Sequence, residues 1–347
     1  MSGQHLPRLG FVGPFTGSTP GKVITQGEIL AQSLARSGYP VLIVSTRPKR
    51  LRRMLDILWT LWAQRAQIDI QVVQVFSGPS FVIADLASAM GVALGKKQIF
   101  ILHGGNLPAF SRRYPGWVRR VLNRADRLVA PSPFLARELA RLGRSIQVVP
   151  NHIDLSLFPY RRRTRVKPRL FWMRNFHPLY NPHMAVRLVA QLSREIPNVQ
   201  LTMAGAGNHF LPEVKRFAER LNVAGRINFA GFLDLTSKIR LAGQHDIYLN
   251  TNHVDNMPVT VIEMAALGLP IVATCVGGVP DIIQDGVNGL LVPDDNDLAM
   301  AEAVRHLIDK PELADQLSQA GRRLAESCAW EKVEGQWRQI IAEVRLG

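Results

Sequence analysis

The stretch 246–274 constrains the fold most strongly, because strand and helix patterns alternate there at close spacing. Asp246–Thr251 is a short apolar run of the length expected for a buried strand. Val259–Leu267 has a helical pattern, and Gly268 follows it at the place where glycine commonly ends a helix. Leu269–Thr274 is predicted to be a second strand. This strand–helix–strand order favours a parallel α/β sheet.

The loop before this helix is suited to binding an anion. Asp255 or Asn256 is a good N-cap, and Pro258 suits the first helical position. The first amides of a helix have no intrahelical partner, and here they are those near Met257, Val259 and Thr260. They point into the loop together with the positive end of the helix dipole. A phosphate bound in the loop would satisfy them.

Two carboxylates flank this loop. Asp255 precedes the helix, and Glu263 follows eight positions later, about two turns along, so that both can face one cleft. Carboxylates on either side of a phosphate site suit the hydroxyl groups on either side of a diphosphate, which indicates a nucleotide sugar. The alternative is an ordinary strand–helix–strand unit with Glu263 exposed on its surface.

The sequence in this region resembles that of glycosyltransferase family four. The resemblance rests on the acid-x7-acid spacing of Asp255 and Glu263, followed by M-A-A-x-G-x-P-I-V-A-T and G-G-V-P-D-I-I-x-D-G-x-N-G-L-L-V. It covers nearly the whole chain and is strongest in residues 200–345. The family usually has Glu at the first acidic position, so the carboxylate of Asp255 is one methylene shorter.

The resemblance implies the GT-B fold, an α/β architecture of two doubly wound parallel-sheet (Rossmann-like) domains facing a cleft. It also implies retaining transfer of a sugar from a nucleoside-diphosphate sugar to a hydroxyl acceptor, without a covalent enzyme intermediate. Asp255 would hydrogen-bond the sugar hydroxyls, and Glu263 the ribose. The donor is expected to contact the start of the helix: Asn256, Met257, Pro258 and Val259. We expect no metal and no cofactor beyond the nucleotide sugar, because no Asp-x-Asp motif or His cluster is suitably placed.

In the second domain the family has an arginine and a lysine that grip the diphosphate. Arg174, at the end of a predicted strand, matches the arginine, whereas Leu179 stands at the lysine position. One of the two expected cations is therefore absent, and Lys22 of the first domain is a candidate to supply that charge. Three further positions match donor-binding segments of the family: Gly205, Gly207 and Phe229.

In the first domain the glycine-rich loop 13–25 follows the first strand, and the family has a Gly-Gly pair there that falls on Gly21 and Lys22. The alternative is a plain turn. His103 stands at the carboxyl end of a predicted strand, where open α/β sheets place their sites. A similar histidine lies beside the donor sugar in the family, so His103 is a catalytic candidate together with Asp255 and Arg174. A lone histidine is otherwise a structural residue.

With 347 residues the chain is expected to form two domains. We place the first in residues 1–160 and the second in residues 168–328, with a polar linker between them. The last helix, 329–347, is expected to pack back on the first domain, as in the family. The two cysteines form no disulfide framework, and the N-terminus shows no secretory signal, so a cytoplasmic location is expected.

The net charge of +15 is concentrated in the first half. Residues 1–168 contain 25 Lys and Arg against 7 Asp and Glu, whereas the remainder contains 17 against 20. This asymmetry indicates an anionic partner, which is an anionic acceptor, a membrane surface or a nucleic acid. We expect no nucleic acid, because no reader motif is present.

The run Arg47–Arg53 leads into a helix with an apolar stripe, beside which lies Trp59; the stripe contains Leu51, Met54, Leu55, Leu58, Leu61 and Trp62. Such a basic amphipathic helix can lie on an anionic bilayer, at the inner membrane face. The alternative is that the stripe packs on its own sheet. Residues 112–127 form a second basic run that is either an acceptor or membrane surface or a solvated helix.

The sequence thus predicts a retaining glycosyltransferase that acts on a glycan or lipid-linked glycan in cell-envelope polysaccharide synthesis. The alternative is a nucleotide-sugar-binding protein with weak or no transferase activity, which the shorter Asp255 and the missing lysine at Leu179 would explain.

Overall fold

A computed structural model describes residues 5–15, 17, 24–207 and 209–346. The chain divides into two compact α/β units. Unit 1 consists of Met1–His152 and Trp330–Gly347, and unit 2 consists of Ile153–Ala329.

Unit 1 contains a parallel sheet in the order β2-β1-β3-β4-β5-β6. Its strands are β1 (Leu9–Val12), β2 (Val41–Ile43), β3 (Ile70–Val75), β4 (Lys97–Leu102), β5 (Arg127–Ala130) and β6 (Gln147–Val148). The helices before unit 2 are α1 (Gln26–Arg36), α2 (Arg50–Ala63), α3 (Pro79–Ala93), α4 (Leu107–Arg113), α5 (Pro115–Leu122) and α6 (Pro133–Ala140).

Unit 2 contains a second parallel sheet, in the order β12-β11-β10-β7-β8-β9. Its strands are β7 (Arg169–Met173), β8 (Gln200–Ala204), β9 (Ile227–Gly231), β10 (Ile247–Asn250), β11 (Ile271–Thr274) and β12 (Leu290–Val292). Its helices are α7 (Pro182–Leu192), α8 (Leu211–Arg220), α9 (Leu235–Gly243), α10 (Val259–Ala266), α11 (Val279–Ile282), α12 (Asp297–Asp309) and α13 (Pro311–Ser327).

Both sheets are buried on both faces, as parallel sheets with helices on each side require. In β4, Ile99 and Ile101 pack into the core on one face of the sheet, and Phe100 and Leu102 pack into the core on the other. Because successive side chains enter a core on opposite faces of the sheet, the strand sequences are almost continuously apolar and do not alternate with polar residues.

The last helix, α14 (Trp330–Leu346), belongs to unit 1. Val333, Trp337 and Ile340 are buried in the same apolar cluster as Leu9 of β1. Of the helices in the described part of the chain, none has the length and apolar character needed to cross a bilayer.

The segment between residues 160 and 168 is part of unit 2 and not the linker that the sequence predicted. Arg161 donates to the carboxylate of Asp246 at 2.8 Å, and Arg163 donates to the carbonyl of Leu267 at the end of α10. Two of the basic residues that suggested a polar linker are therefore bound to a carboxylate and to a helix C-terminus, which attracts cations.

The end of α10 shows how closely this segment packs. Gly268 has φ of +83°, and a Cβ atom there would lie 2.4 Å from the carbonyl oxygen of Arg161. Only glycine fits both the left-handed conformation and this approach, which confirms the predicted helix end.

Candidate functional site

The strand order of unit 2 places a ligand-binding crevice between β7 and β10. The chain proceeds outward from these two neighbouring strands in opposite directions, so they flank the topological switch point of the sheet. Ligands of open α/β sheets bind beyond the carboxyl ends of the strands at this point. Arg174 directly follows β7, and Asn250 ends β10.

Arg174 forms an ion pair with Asp255 in this crevice. The two side chains are only 15% and 16% exposed. Asn252 donates through Nδ2 to Asp255 Oδ2 at 2.6 Å, and the amide of Asn256 donates to Oδ1 at 2.8 Å. These three donors hold the Asp255 carboxylate in one orientation. The structure thus brings together two of the predicted catalytic residues.

The environment of Arg174 favours its charged form. Burial alone would lower the pKa of Arg174, but attraction to the Asp255 carboxylate, with smaller contributions from Tyr248, Tyr180 and Glu263, outweighs it, so the pKa is raised above its ordinary value. The guanidinium carbon lies 5.3 Å from the ring centre of Tyr180, over its face. Arg174 is therefore a fixed cation at the switch point.

Two glycines allow the backbone to approach these residues. A Cβ atom at Gly205 would lie 1.9 Å from the carbonyl oxygen of Arg174, and one at Gly277 would lie 2.1 Å from that of Asp255. Gly277 has φ of +54°, and the amide of Gly278 donates to the Asp255 carbonyl at 3.0 Å. Gly205 was a predicted site residue. Gly277 and Gly278 belong to the motif shared with the family, and the sequence indicated no role for them.

The start of α10 differs from the prediction. Pro258 is the N-cap and not the first helical residue, and its extended backbone has φ of −69° and ψ of 105°. Asp255 and Asn256 lie too early to cap the helix, and the Asp255 carboxylate accepts from Asn256 instead. Val259 is the first helical residue.

Glu263 is buried rather than exposed, which contradicts the alternative of an ordinary surface position. It is 9% exposed, and Lys238 of α9 donates to its Oε1 at 2.5 Å. The Lys238 ammonium also lies 5.7 Å from the ring centre of Phe158. The sequence patterns did not identify Lys238 as a site residue, because it lies in an amphipathic helix 25 positions away from its partner.

The lysine that the family has near Arg174 is replaced by Leu179 in a short turn. The Leu179 amide donates to Nδ1 of His177 at 3.1 Å, and its carbonyl accepts from the amide of His253 at 3.0 Å. This residue therefore contributes backbone contacts, and the next residue, Tyr180, provides the aromatic face beside Arg174.

Gly207 and Phe229 are packing positions in the structure. A Cβ atom at Gly207 would lie 2.4 Å from a methyl carbon of Leu211 at the start of α8. The Phe229 ring lies 6.1 Å from that of Phe176, and Lys215 lies 5.5 Å from its centre. The donor-binding roles of Gly207 and Phe229 stay predictions.

His103 lies in unit 1, directly after β4. Its Nε2 lies 2.6 Å from Gln74 Oε1 and donates to it, and its ring stacks on Phe76 at 4.7 Å. Burial lowers the pKa of His103 to about 4, so the ring is neutral at pH 7. The structure therefore allows His103 to act through a neutral ring. Gly21 and Lys22 lie outside the described residues.

Several buried polar atoms near the switch point have no hydrogen-bond partner within the described part of the protein: Arg174 Nε, both amide atoms of Asn250 and Asn252 Oδ1. Buried polar atoms are nearly always hydrogen-bonded in folded proteins, so this concentration indicates a polar ligand. Across the described residues, no group of three or more His, Cys, Asp or Glu side chains is arranged to hold a metal ion. Metal independence stays a prediction.

The fold and this site define the GT-B class of glycosyltransferases, and comparisons with known proteins agree. The family "Glycosyl transferases group 1" matches residues 162–324, and "Glycosyltransferase Family 4" matches residues 23–157. The chain therefore belongs to glycosyltransferase family four.

Among curated relatives, glycogen synthase of Mycobacterium tuberculosis is 26% identical over 68% of this chain and 61% of the relative. The chain thus spans about three fifths of that protein's length. N-acetyl-alpha-D-glucosaminyl L-malate synthase of Bacillus anthracis is 25% identical over 81% of this chain and 76% of the relative.

Among solved structures, sucrose-phosphate synthase of Thermosynechococcus elongatus superposes with a TM-score of 0.81 at 16% identity, covering 97% of this chain and 99% of that one. HepE of Anabaena, in complex with UDP and glucose, superposes with a TM-score of 0.79 at 15% identity, covering 97% of this chain and 100% of that one. These likenesses confirm the predicted GT-B fold.

Proposed function

We propose that the protein transfers a sugar from a nucleoside-diphosphate sugar to a hydroxyl acceptor, with retention of configuration. The observation that carries this proposal is the largely buried ion pair of Arg174 and Asp255 at the switch point of unit 2, next to the first turn of α10. Family membership and the complexes of HepE with UDP and glucose support it.

Asp255 is suited to holding the sugar. A carboxylate offers about four lone-pair positions, and the structure fills three of them with Arg174, Asn252 and the Asn256 amide. The remaining position, on Oδ1, can accept one sugar hydroxyl. The three fixed donors orient it in advance, which is how positioning accelerates a reaction between bound partners.

The departing diphosphate gains negative charge as the sugar leaves, and fixed donors stabilise that charge. Arg174 supplies a permanent cation with Nε still available. The amides of Val259 and Thr260 lie in the first turn of α10, whose dipole adds a partial positive charge.

Glu263 would accept hydrogen bonds from the ribose hydroxyls through its other carboxylate oxygen, Oε2, since Lys238 donates to Oε1. Arg174 and Lys238 each already neutralise one carboxylate. A dianionic diphosphate therefore needs a further cation, and Lys22 is the candidate that the sequence offers.

The acceptor that fits best is a glycan or lipid-linked glycan of cell-envelope polysaccharide synthesis. The support is the surplus of basic residues in unit 1, which favours an anionic acceptor. The second candidate is a nucleotide-sugar-binding protein without turnover, favoured by Leu179 in the lysine position and by the shorter Asp255.

A thermal-shift and hydrolysis screen with UDP-, GDP- and ADP-sugars in the absence of metal tests the proposal, with Asp255→Asn as the matched variant. We expect one donor to stabilise the wild type and to be hydrolysed slowly by it alone. Stabilisation of both proteins without turnover, even with glycan acceptors added, would favour the binding protein. No stabilisation by any donor would contradict both.

Lys22→Ala separates the role of Lys22 from that of the unit 2 site. We expect weaker donor binding with an unchanged melting temperature of the free protein. Unchanged donor binding would show that Lys22 is not the missing cation.

A further inference from the structure

Helix α2 exposes part of its apolar stripe. The sequence left open whether the stripe packs on its own sheet, and the structure divides it: Leu61 is buried in the core of unit 1 together with Ile57 beside the stripe, and Met54 and Leu58 are half-buried. Four large side chains face outward, with exposed fractions of 67%, 59%, 66% and 49%: Leu51, Leu55, Trp59 and Trp62.

These four residues form one continuous face, which we call the α2 face. At about 100° per residue they fall within an arc of about 80° on the helix. The rings of Trp59 and Trp62 lie 5.4 Å apart. Helix α3, on which α2 packs, also exposes two apolar side chains, Val82 and Leu86, by 40% and 38%. Large apolar groups gathered in this way on a surface mark an interaction site.

Basic residues border the α2 face. The segment 47–65 contains six Lys and Arg and a single acidic residue, Asp56. Within the described residues, Lys49, Arg50 and Arg52 are exposed and have no carboxylate within salt-bridge distance. The α2 face thus combines exposed tryptophan and leucine with unpaired positive charge.

The combination of apolar side chains and unpaired cations distinguishes between three binding partners for the α2 face: a second copy of the chain, a nucleic acid and a bilayer. A second copy packed symmetrically would bring two clusters of unpaired cations together. A nucleic acid would neutralise the cations but leave the apolar side chains in water. An anionic bilayer meets both needs, because tryptophan and leucine enter the boundary between headgroups and acyl chains while lysine and arginine contact lipid phosphates.

We propose that the α2 face binds an anionic lipid bilayer, with α2 lying in the plane of the interface. Leu51, Leu55, Trp59 and Trp62 enter the bilayer to headgroup depth, and Lys49, Arg50 and Arg52 contact the phosphates. This inference rests on the surface of unit 1 alone and is independent of the proposed sugar transfer.

Co-sedimentation of the full chain with vesicles tests this inference, using phosphatidylcholine alone and phosphatidylcholine mixed with equal phosphatidylglycerol. We expect binding to the anionic vesicles only, weakened by salt. The double variant Trp59→Ser, Trp62→Ser should lose about tenfold or more in affinity for the anionic vesicles. The triple variant Lys49→Gln, Arg50→Gln, Arg52→Gln should bind them equally weakly.

Two controls match these variants in unit 2. Leu298→Ser changes an apolar side chain that is 63% exposed, and Arg216→Gln with Arg240→Gln and Lys310→Gln removes the same charge from exposed positions. Both should bind vesicles as the wild type does. Because the side chains altered on α2 are exposed, all variants should melt near the wild-type temperature.

Tryptophan fluorescence gives a second readout. Anionic vesicles with brominated acyl chains should quench the wild type and leave the Trp59→Ser, Trp62→Ser variant nearly unaffected. Absence of wild-type binding, or equal losses in the unit 2 controls, would overturn the inference. So would a wild-type dimer in light scattering that the tryptophan variant dissociates, since the α2 face would then be a contact between copies.

Discussion

Units 1 and 2 share a parallel α/β architecture but use charge differently. Unit 1 contains 23 Lys and Arg against 9 Asp and Glu, whereas unit 2 contains 19 against 18. In unit 2, Arg174 and Lys238 are each only 15% exposed and form ion pairs with Asp255 and Glu263. In unit 1, Lys49, Arg50 and Arg52 at the start of α2 are exposed and have no carboxylate partner among the described residues.

The difference shows two uses of the same side chains. A buried pair fixes both partners, as is required where a small polar ligand must be oriented. Unpaired surface cations leave long side chains free to adapt, which suits an extended anionic surface. The following predictions test this contrast, from the largest expected effect to the smallest.

Arg174→Met should have the largest effect, because it leaves Asp255 buried without its cation. We expect the free energy of unfolding to fall by about 3 kcal/mol. Donor turnover should fall by about 100-fold or more, since a fixed donor to the leaving group is lost. Urea denaturation and initial rates measure the two effects.

Arg187→Met is the matched control, since Arg187 pairs with Asp295 and Asp297 nearer the surface of the same unit. It should cost less than about 1 kcal/mol. Equal losses from the two variants would break the distinction between the buried pair and the surface pairs.

Unit 1 should respond to acid through His103. Burial lowers its pKa from 6.5 to about 4, so between these values the unfolded chain binds a proton that the folded chain does not. The stabilisation is complete above pH 6.5 and is lost as the pH falls towards 4, by about 3 kcal/mol in the free energy of unfolding.

His103→Gln should therefore flatten the decline in stability between pH 7 and pH 4 in urea denaturation. His5→Gln, which alters an exposed histidine, should keep the wild-type slope. If the His103→Gln profile has the same slope as the wild type, burial of the neutral ring is not the cause.

Gly277→Ala tests whether the backbone holds Asp255. The added Cβ atom meets the Asp255 carbonyl in a left-handed conformation, so we expect a loss of about 2 kcal/mol and a weaker thermal shift with donor. Gly243→Ala, whose Cβ atom meets nothing within 4 Å, should leave the thermal shift unchanged. A wild-type thermal shift with donor in Gly277→Ala would show that the close approach of Gly277 is not needed to hold Asp255.

Arg52→Gln should have the smallest effect on folding. Arg52 is exposed, so the free energy of unfolding should change by less than about 0.5 kcal/mol and donor binding should be unchanged. A larger loss of stability would mean that Arg52 has a structural role and that the cations of α2 are not free.

Sequence patterns predicted the α/β class and the two strands on either side of α10, β10 and β11. They did not mark Leu290–Val292, because three apolar residues give no distinguishable period. They ended helix α10 correctly at Gly268 but misplaced its N-cap, because both Asp255 and Asn256 are favourable capping residues and only the local backbone shows that Pro258 takes that position.

The site was predictable where a residue type follows a strand or stands in a motif, as for Arg174, Asp255 and Glu263. The partners of these residues were not predictable. Lys238 and Asn252 contact the carboxylates only because α9 and the loop after β10 come together in three dimensions. The linker prediction was wrong for the same reason, since Arg161 and Arg163 find their acceptors 85 and 104 positions away.

The central claim is that the Arg174–Asp255 pair and the first turn of α10 form the donor site. The most direct measurement is a crystal structure with whichever of UDP, GDP or ADP gives the largest thermal shift. We predict the diphosphate within hydrogen-bond distance of Arg174 Nε and the amides of Val259 and Thr260. A nucleotide bound elsewhere, with the surroundings of Arg174 and Asp255 unchanged, would contradict the account.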